Sequence, residues 1–217
     1  MRDDDQEAER LVNALRRRVE AAEDPFFSME AALLSGRAKW GRSKKAKSST
    51  AKDRLLKTAL ERAKEAALLG ERRGYATGQM MGLALQGELL CEIGDPNSAL
   101  PFSQRAAEMA DDRLSTSLPV ESIHLSYAKV LLCLGDRDEA RTVLFQAMKS
   151  LRHRSERLPP DSQKRFWNLV TRKELRDVHD MFFTTCFSRH VFHDMFFTTC
   201  FSRHVFHDMF FTTCFSR

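Results

Sequence analysis

Apolar residues recur along most of the chain at the three- and four-residue spacing of amphipathic helices. From residue 53 onward this spacing is regular, and it predicts a helix over 51–69 that ends at Gly70. No stretch of this region alternates with the two-residue period of a strand. Further helical patterns, each bounded by Gly, Pro or Asp, run over 75–93, 97–111, 120–134, 137–157 and 161–178. The pattern predicts an all-α protein whose short joints make successive helices antiparallel.

The first fifty residues follow a less regular pattern. Residues 4–22 carry acids first and arginines later, which complements the dipole of a helix. Asp24-Pro25 ends that helix, and residues 26–34 predict a second, short helix that ends at Gly36. The chain therefore divides into an N-terminal helical segment (1–36), a basic linker (37–52), a helical array (53–178) and a C-terminal tail (179–217).

Two joints inside the array are nearly identical, and the helices around them match. Each joint contains Gly-Asp, with a small residue seven positions before the glycine and alanines five and twelve positions after it. The first unit has Gly87, Gly94, Asp95, Ala99 and Ala106, and the second has Ala128, Gly135, Asp136, Ala140 and Ala147. Small residues let two helices approach closely, and the glycine ends the first helix in a left-handed cap. The pattern is typical of helix-turn-helix repeats, which bury their apolar faces only by stacking.

These residues resemble the tetratricopeptide repeat (TPR), in which a small residue, Gly-Asp and two alanines occupy the same relative positions. The resemblance covers about 51–178, and such stretched units are similar to repeat arrays of bacterial signalling regulators. The family's aromatic residue in the first helix is absent, since Leu83 and His124 stand there. The turns are 41 residues apart, whereas the family's repeat is about 34 residues long. The resemblance implies a short TPR-like solenoid of antiparallel helix-turn-helix repeats.

Members of this family bind peptides or partner helices on a concave groove formed by the first helix of each pair. Carried onto this chain, the groove comprises Met81, Ala84, Glu88, Cys91, Glu92, Ser122, Leu125, Lys129, Leu132 and Cys133. Its Met, Leu and Cys with few charges favour an apolar partner helix over an acidic tail. The alternative for each position is packing against a neighbouring helix. The resemblance thus implies a non-enzymatic scaffold with a protein or peptide partner.

Three glycines recur every four residues on the helix that enters the first unit, at Gly74, Gly78 and Gly82. A glycine weakens a helix by about 0.8–1 kcal/mol relative to alanine. Very close contact with another helix would compensate for this loss. The alternative is a helix that begins only near Met80.

The positive charge of the chain is concentrated in one segment. The chain has 35 Lys and Arg against 30 Asp and Glu, a net charge of +5. The basic linker holds seven cations, no acid and one tryptophan: Arg37, Lys39, Trp40, Arg42, Lys44, Lys45, Lys47 and Lys52. Cations bind phosphate and an aromatic ring can stack on a base, so nucleic-acid binding through this segment is the alternative function. A solvated linker is the other interpretation of these residues.

Sequence motifs for enzymatic chemistry are absent. The chain has no phosphate-binding loop, no His-Glu-x-x-His and no Gly-x-Ser-x-Gly. It also has no window of eighteen uncharged apolar residues, no apolar core of a secretory signal near its start and no Cys-x-x-Cys. We therefore expect a cytoplasmic protein with no membrane span, no enzymatic activity, no cofactor and no metal.

The C-terminal tail repeats the fourteen residues HDMFFTTCFSRHVF, which occupy 179–192 and 193–206 and are cut short at 207–217. Fourteen residues are about four helical turns, so we expect a helix on which each copy presents the same face. On that face, Cys186, His190 and His193 have side chains of the kind that binds zinc. Their spacing matches no zinc module, however, and a tandem duplication is the simpler interpretation. Segments such as MFFTTCF are apolar and β-prone, and they predict self-association or insolubility of the full chain.

Overall fold

The computed structural model describes residues 10–14, 17–18, 24–111 and 120–183. Its helices are α1 (Pro25–Lys45), α2 (Ser49–Arg73), α3 (Ala76–Ile93), α4 (Pro96–Asp111), α5 (Val120–Leu134), α6 (Arg137–Glu156), α7 (Pro160–Trp167) and α8 (Val170–Phe183). Residues 10–14 and 17–18 are also helical. Since these described parts of the chain contain no strand, the predicted all-α class is confirmed.

The helices pack in chain order and in two layers. Each helix from α1 to α5 contacts the next one, and α7 and α8 pack against α6. Alternate helices also touch, because α1 contacts α3, α3 contacts α5, and α5 contacts α8. We call α1, α3, α5 and α8 the front layer and α2, α4 and α6 the back layer. Helix α3 therefore has four helical neighbours, which are α1, α2, α4 and α5.

Three groups of buried side chains follow one another along the array. The first joins α1, α2 and α3 through Met29, Leu56 and Leu89. The second joins α3, α4 and α5 and includes Met80, and the third joins α5, α6 and α8 and includes Leu144. The repeated alanines that precede or follow the joints are fully buried at Ala59, Ala66, Ala99, Ala106, Ala128 and Ala140. Each apolar face is thus covered by the next helix, as stacking repeats require.

Both Gly-Asp joints have the predicted left-handed glycine cap. Gly94 has a φ of 94° and Gly135 a φ of 85°. The backbone N–H of Asp95 donates to the carbonyl of Leu90 over 2.9 Å, and Asp136 makes the equivalent bond, also of 2.9 Å, in the second unit. The two joints therefore end their helices by the same hydrogen bonding.

The predicted linker over 37–52 was wrong. Helix α1 continues through Lys45, and only residues 46–48 separate it from α2. Gly36 does not end a helix, because it is buried inside α1, where a Cβ would lie 3.2 Å from the Leu85 side chain. Gly70 is likewise buried inside α2, and that helix ends at Gly74, which has a φ of 69°. Two of these glycines are therefore explained by close neighbours and not by a turn.

The glycine stripe at the start of α3 makes the close contact that we expected from the sequence. A Cβ on Gly82 would lie 2.6 Å from the backbone nitrogen of Ala67 in α2, and one on Gly78 would overlap the sulfur of Met29. The helix begins at Ala76, and the alternative of a start near Met80 was wrong. Gly74, the third member of the stripe, is the cap of α2.

Only the beginning of the tandem tail falls within the structure. Residues 179–183 form the end of α8, and the stripe that contains Cys186, His190 and His193 lies outside the described residues. Of the helices that the structure describes, none has the length and apolar character needed to cross a lipid bilayer.

Candidate functional site

The predicted groove corresponds to the surface of the front layer formed by α3 and α5. The Ser122 hydroxyl lies 3.9 Å from the sulfur of Met81, which is 41 residues earlier in the chain. One to two turns further along the two helices, Glu88 accepts a hydrogen bond from the hydroxyl of Ser126 and lies 3.8 Å from the Lys129 ammonium. The two helices therefore run side by side in the same direction, with equivalent positions of the two units opposite each other.

The charged side chains of this surface are used within the protein. Lys129 bridges Glu88 of α3 and Glu174 of α8, with a distance of 2.7 Å to the latter carboxylate. Lys52 of α2 lies 3.1 Å from Glu92 of α3. Lys129 thus joins three helices of the front layer, and the pair of Lys52 and Glu92 joins the front layer to the back layer.

The groove prediction was wrong at two positions. Ala84 is 4% exposed and Leu125 is 2% exposed, so both belong to the core. The reason is that α3 and α5 are covered on several sides, and a position assigned to the open face by repeat alignment falls between helices instead. The remaining predicted positions are all half-buried: Met81, Glu88, Cys91, Glu92, Ser122, Lys129, Leu132 and Cys133.

Two free cysteines lie on neighbouring helices of this surface. The Cys91 thiol of α3 is in hydrogen-bonding contact with Cys133 of α5, and both residues are half-buried. This contact, burial and the nearby carboxylates of Glu88 and Glu92 raise the pKa of the Cys91 thiol far above its ordinary value. Cys91 is therefore a protonated thiol at neutral pH.

The basic segment has a structural role that its sequence did not reveal. Trp40 packs against the core between α1, α2 and α3, and the ammonium of Lys44 lies 4.2 Å from the centre of its ring. Part of the ring is thus covered within the protein, and its role in stacking on a base stays a prediction. Arg42, Lys44 and Lys45 lie in the last turn of α1, where cations interact favourably with the helix dipole. Of the predicted nucleic-acid contacts, the exposed ones are Arg37, Lys44, Lys45 and Lys47, and Lys39 and Arg42 are half-buried.

A cavity of about 850 Å³ lies between the start of α5, the second half of α6 and α8. Its wall combines apolar side chains such as Phe145 and Met148 with titratable ones such as His124 and His179. The buried carboxylate of Glu121 lines it too and accepts hydrogen bonds from Arg154 over 3.2 Å and from Arg172 over 2.7 Å. No local sequence pattern predicts this cluster, because the arginines follow Glu121 by 33 and 51 residues.

His124 forms an ion-pair contact with Asp111 in the wall of this cavity. Its Nε2 lies 3.2 Å from the Asp111 carboxylate, and 13% of its side chain is exposed. Burial lowers the pKa of His124 below its ordinary value, although Asp111 and Glu121 act in the opposite direction.

Replacing His124 with glutamine should make the stability of the protein less sensitive to acid. Because the folded-state pKa lies below that of the unfolded chain, protons bind the unfolded state preferentially, and the contribution of neutral His124 is lost as pH falls below about 6.5. We expect the urea midpoint of the parent to fall more between pH 7.5 and 5 than that of His124→Gln. His153→Gln, at an exposed position of α6, is the control and should follow the parent. Equal pH dependence of the parent and His124→Gln would contradict this prediction.

A metal site or a related protein would each indicate a function for this chain. Among the residues that the structure describes, no three His, Cys, Asp or Glu side chains converge in a way that could hold a metal ion. Comparisons of the chain with protein-family models, with curated proteins and with solved structures found no match. The function must therefore be inferred from the contacts of the described residues.

Proposed function

We propose that this chain is a non-enzymatic interaction scaffold, built as a short TPR-like solenoid, that binds a partner helix or peptide on the front layer. The supporting observation is the shared register of α3 and α5, in which equivalent residues of the two units lie side by side. Such a register lines up the same positions of consecutive repeats along one continuous surface. Repeat arrays use surfaces of this kind to bind extended partners.

The open part of this surface favours an apolar partner. Its half-buried side chains include Met81, Leu132 and the two cysteines, whereas the nearby charges are already paired within the protein. Methionine adapts its shape to different apolar partners. We therefore propose an amphipathic helix as the partner, with apolar residues that contact Met81 and Leu132. We further propose a cytoplasmic location, which fits a chain of five cysteines without a Cys-x-x-Cys spacing.

The scaffold proposal predicts that a charge on the front layer abolishes partner binding. Immobilised full-length chain is used to capture proteins from lysate, with and without nuclease, and the captured proteins are quantified by mass spectrometry. We expect Leu132→Glu and Ser122→Glu to reduce a nuclease-resistant partner at least tenfold, because a buried carboxylate at the contact is strongly unfavourable. Leu68→Glu is the matched control, since Leu68 is exposed on α2 in the back layer.

Ser122→Glu is included because Leu132 also packs against the core between α5, α6 and α8, and its replacement can lower stability. Helix content and melting temperature are therefore measured for all three variants. A partner that Leu132→Glu and Ser122→Glu retain at parental levels would overturn the proposal.

Nucleic-acid binding through residues 37–52 is the second candidate, supported by the exposed cations at the end of α1. Arg37, Lys44, Lys45 and Lys47 are open to solvent, and they would contact phosphate without the help of Trp40. Loss of all captured material after nuclease treatment would favour this function. Neutralising Lys44, Lys45 and Lys47 together should then abolish capture, whereas it should leave a bound partner helix unaffected.

A further inference from the structure

We propose that Cys91 and Cys133 are a redox-active pair that forms a reversible disulfide between α3 and α5. This inference concerns the chemistry of the two thiols and does not depend on a partner. It is carried by the register of the two helices, which places the two cysteines opposite each other, and by the partial exposure of both side chains.

The register brings the two cysteines together. Contacts between α3 and α5 join residues that are 41 positions apart at Met81 and Ser122 and again at Glu88 and Lys129. Cys91 is three residues after Glu88, on the same face of α3, and its partner is four residues after Lys129 on the same face of α5. Cys91 and Cys133 are 42 positions apart, and they therefore continue the row of contacts between α3 and α5 by about one turn. Both side chains are half-buried, so a small oxidant can reach them.

The reaction needs a two-electron oxidant, and a small-molecule disulfide such as oxidised glutathione supplies it. Cys133 loses its proton and attacks a sulfur of the oxidant, which gives a mixed disulfide and releases one glutathione thiolate that takes up a proton. Cys91 then attacks the protein sulfur of that mixed disulfide, and its proton passes to the second glutathione thiolate as that thiolate leaves. The protein loses two protons and two electrons, and one oxidised glutathione becomes two reduced molecules.

A bond at this position would join the two repeat units of the front layer. It would close a loop of about 40 residues that includes all of α4, and such a closure restricts the unfolded chain. We therefore expect the oxidised protein to melt about 5–10 °C above the reduced protein. The ion pair of Glu88 and Lys129 one turn away holds α3 and α5 side by side at this end of the two helices.

The experiment uses the full chain with Cys186, Cys200 and Cys214 replaced by serine, which leaves only the two cysteines of the pair. The protein is equilibrated with oxidised glutathione at pH 8.5, free thiols are alkylated, and peptides are identified by mass spectrometry. We expect the peptides of Cys91 and Cys133 to be joined within one chain, a higher melting temperature, and reversal of both by dithiothreitol. Cys91→Ser and Cys133→Ser in the same background are matched controls and should show no rise in melting temperature.

Three results would contradict the formation of this disulfide. Two thiols that both remain open to alkylation after equilibration would overturn the proposal. It would also be overturned if the only linkage joined separate chains, or if the single-cysteine variants gained the same thermal stability from the oxidant.

Discussion

Glu121→Ala should destabilise the protein by about 3–5 kcal/mol, because it leaves two arginines of other helices without their common carboxylate. Only 7% of the Glu121 side chain is exposed, and Arg172 of α8, its nearer partner, is 12% exposed. Arg172 also donates to the carbonyl of Phe166 and lies 3.7 Å from the centre of that ring. Truncation of Glu121 thus leaves a largely buried cation, and urea unfolding followed by circular dichroism measures the loss.

Glu61→Ala is the matched control for this prediction. Glu61 pairs with Lys64 across 2.9 Å on α2, but 69% of its side chain is exposed, and exposed pairs contribute about 0.2–1 kcal/mol. A second comparison uses Arg172→Leu, which should reduce the additional effect of Glu121→Ala because the two changes share one interaction. Equal losses for Glu121→Ala and Glu61→Ala would show that the buried cluster contributes little to stability.

Gly82→Ala should destabilise the protein by about 1–3 kcal/mol, although alanine favours a helix more than glycine does. The added methyl group would lie 2.6 Å from the backbone nitrogen and 2.9 Å from the Cα of Ala67. Backbone atoms in the middle of α2 cannot move aside as a flexible side chain would, so α2 and α3 must separate. The urea midpoint of the purified variant measures the effect.

Gly41→Ala is the control with the opposite sign. Gly41 lies inside α1 with no atom within 4 Å of the position of a Cβ, so alanine should stabilise the protein by about 0.5–1 kcal/mol. The two substitutions add the same methyl group inside a helix and differ only in what surrounds it. If Gly82→Ala also increased stability, the close contact between α2 and α3 would not exist in solution.

The joints between helices could be predicted from the sequence because their cause is local. At Gly94 and Gly135 a glycine is followed by aspartate at the end of an apolar helical pattern, and both adopt the left-handed cap. Gly36 and Gly70 looked equally able to end a helix. Their cause is a neighbouring helix distant in sequence, which a local pattern does not contain.

The basic segment was misjudged for the same reason. Lysines, serines and Gly41 are typical of a linker, but the buried Ser43 and the packed Trp40 hold these residues in α1. The Ser43 hydroxyl donates to the Trp40 carbonyl over 2.7 Å, so it needs no solvent. Tertiary packing thus overrides the weak local preference for an open chain.

The candidate site could be predicted only in outline. The repeat spacing placed α3 and α5 on one surface, and the pairs that join Met81 to Ser122 and Glu88 to Lys129 agree with that placement. Spacing does not tell which side of each helix is covered, and for this reason Leu125 was assigned to the groove and is found in the core. The carboxylate of Glu121 was missed because both its partners come from later helices.

The four neighbours of α3 determine how the protein opens. Exposure of its backbone requires separation from α1 and α2 on one side and from α4 and α5 on the other, whereas α7 packs mainly against α6 and α8 among the described helices. In a linear array, end units can fray independently, and a central helix is released only when the units on both sides are lost. We therefore expect the amide hydrogens of α3 to exchange with solvent through global unfolding and those of α7 to exchange faster, through partial opening.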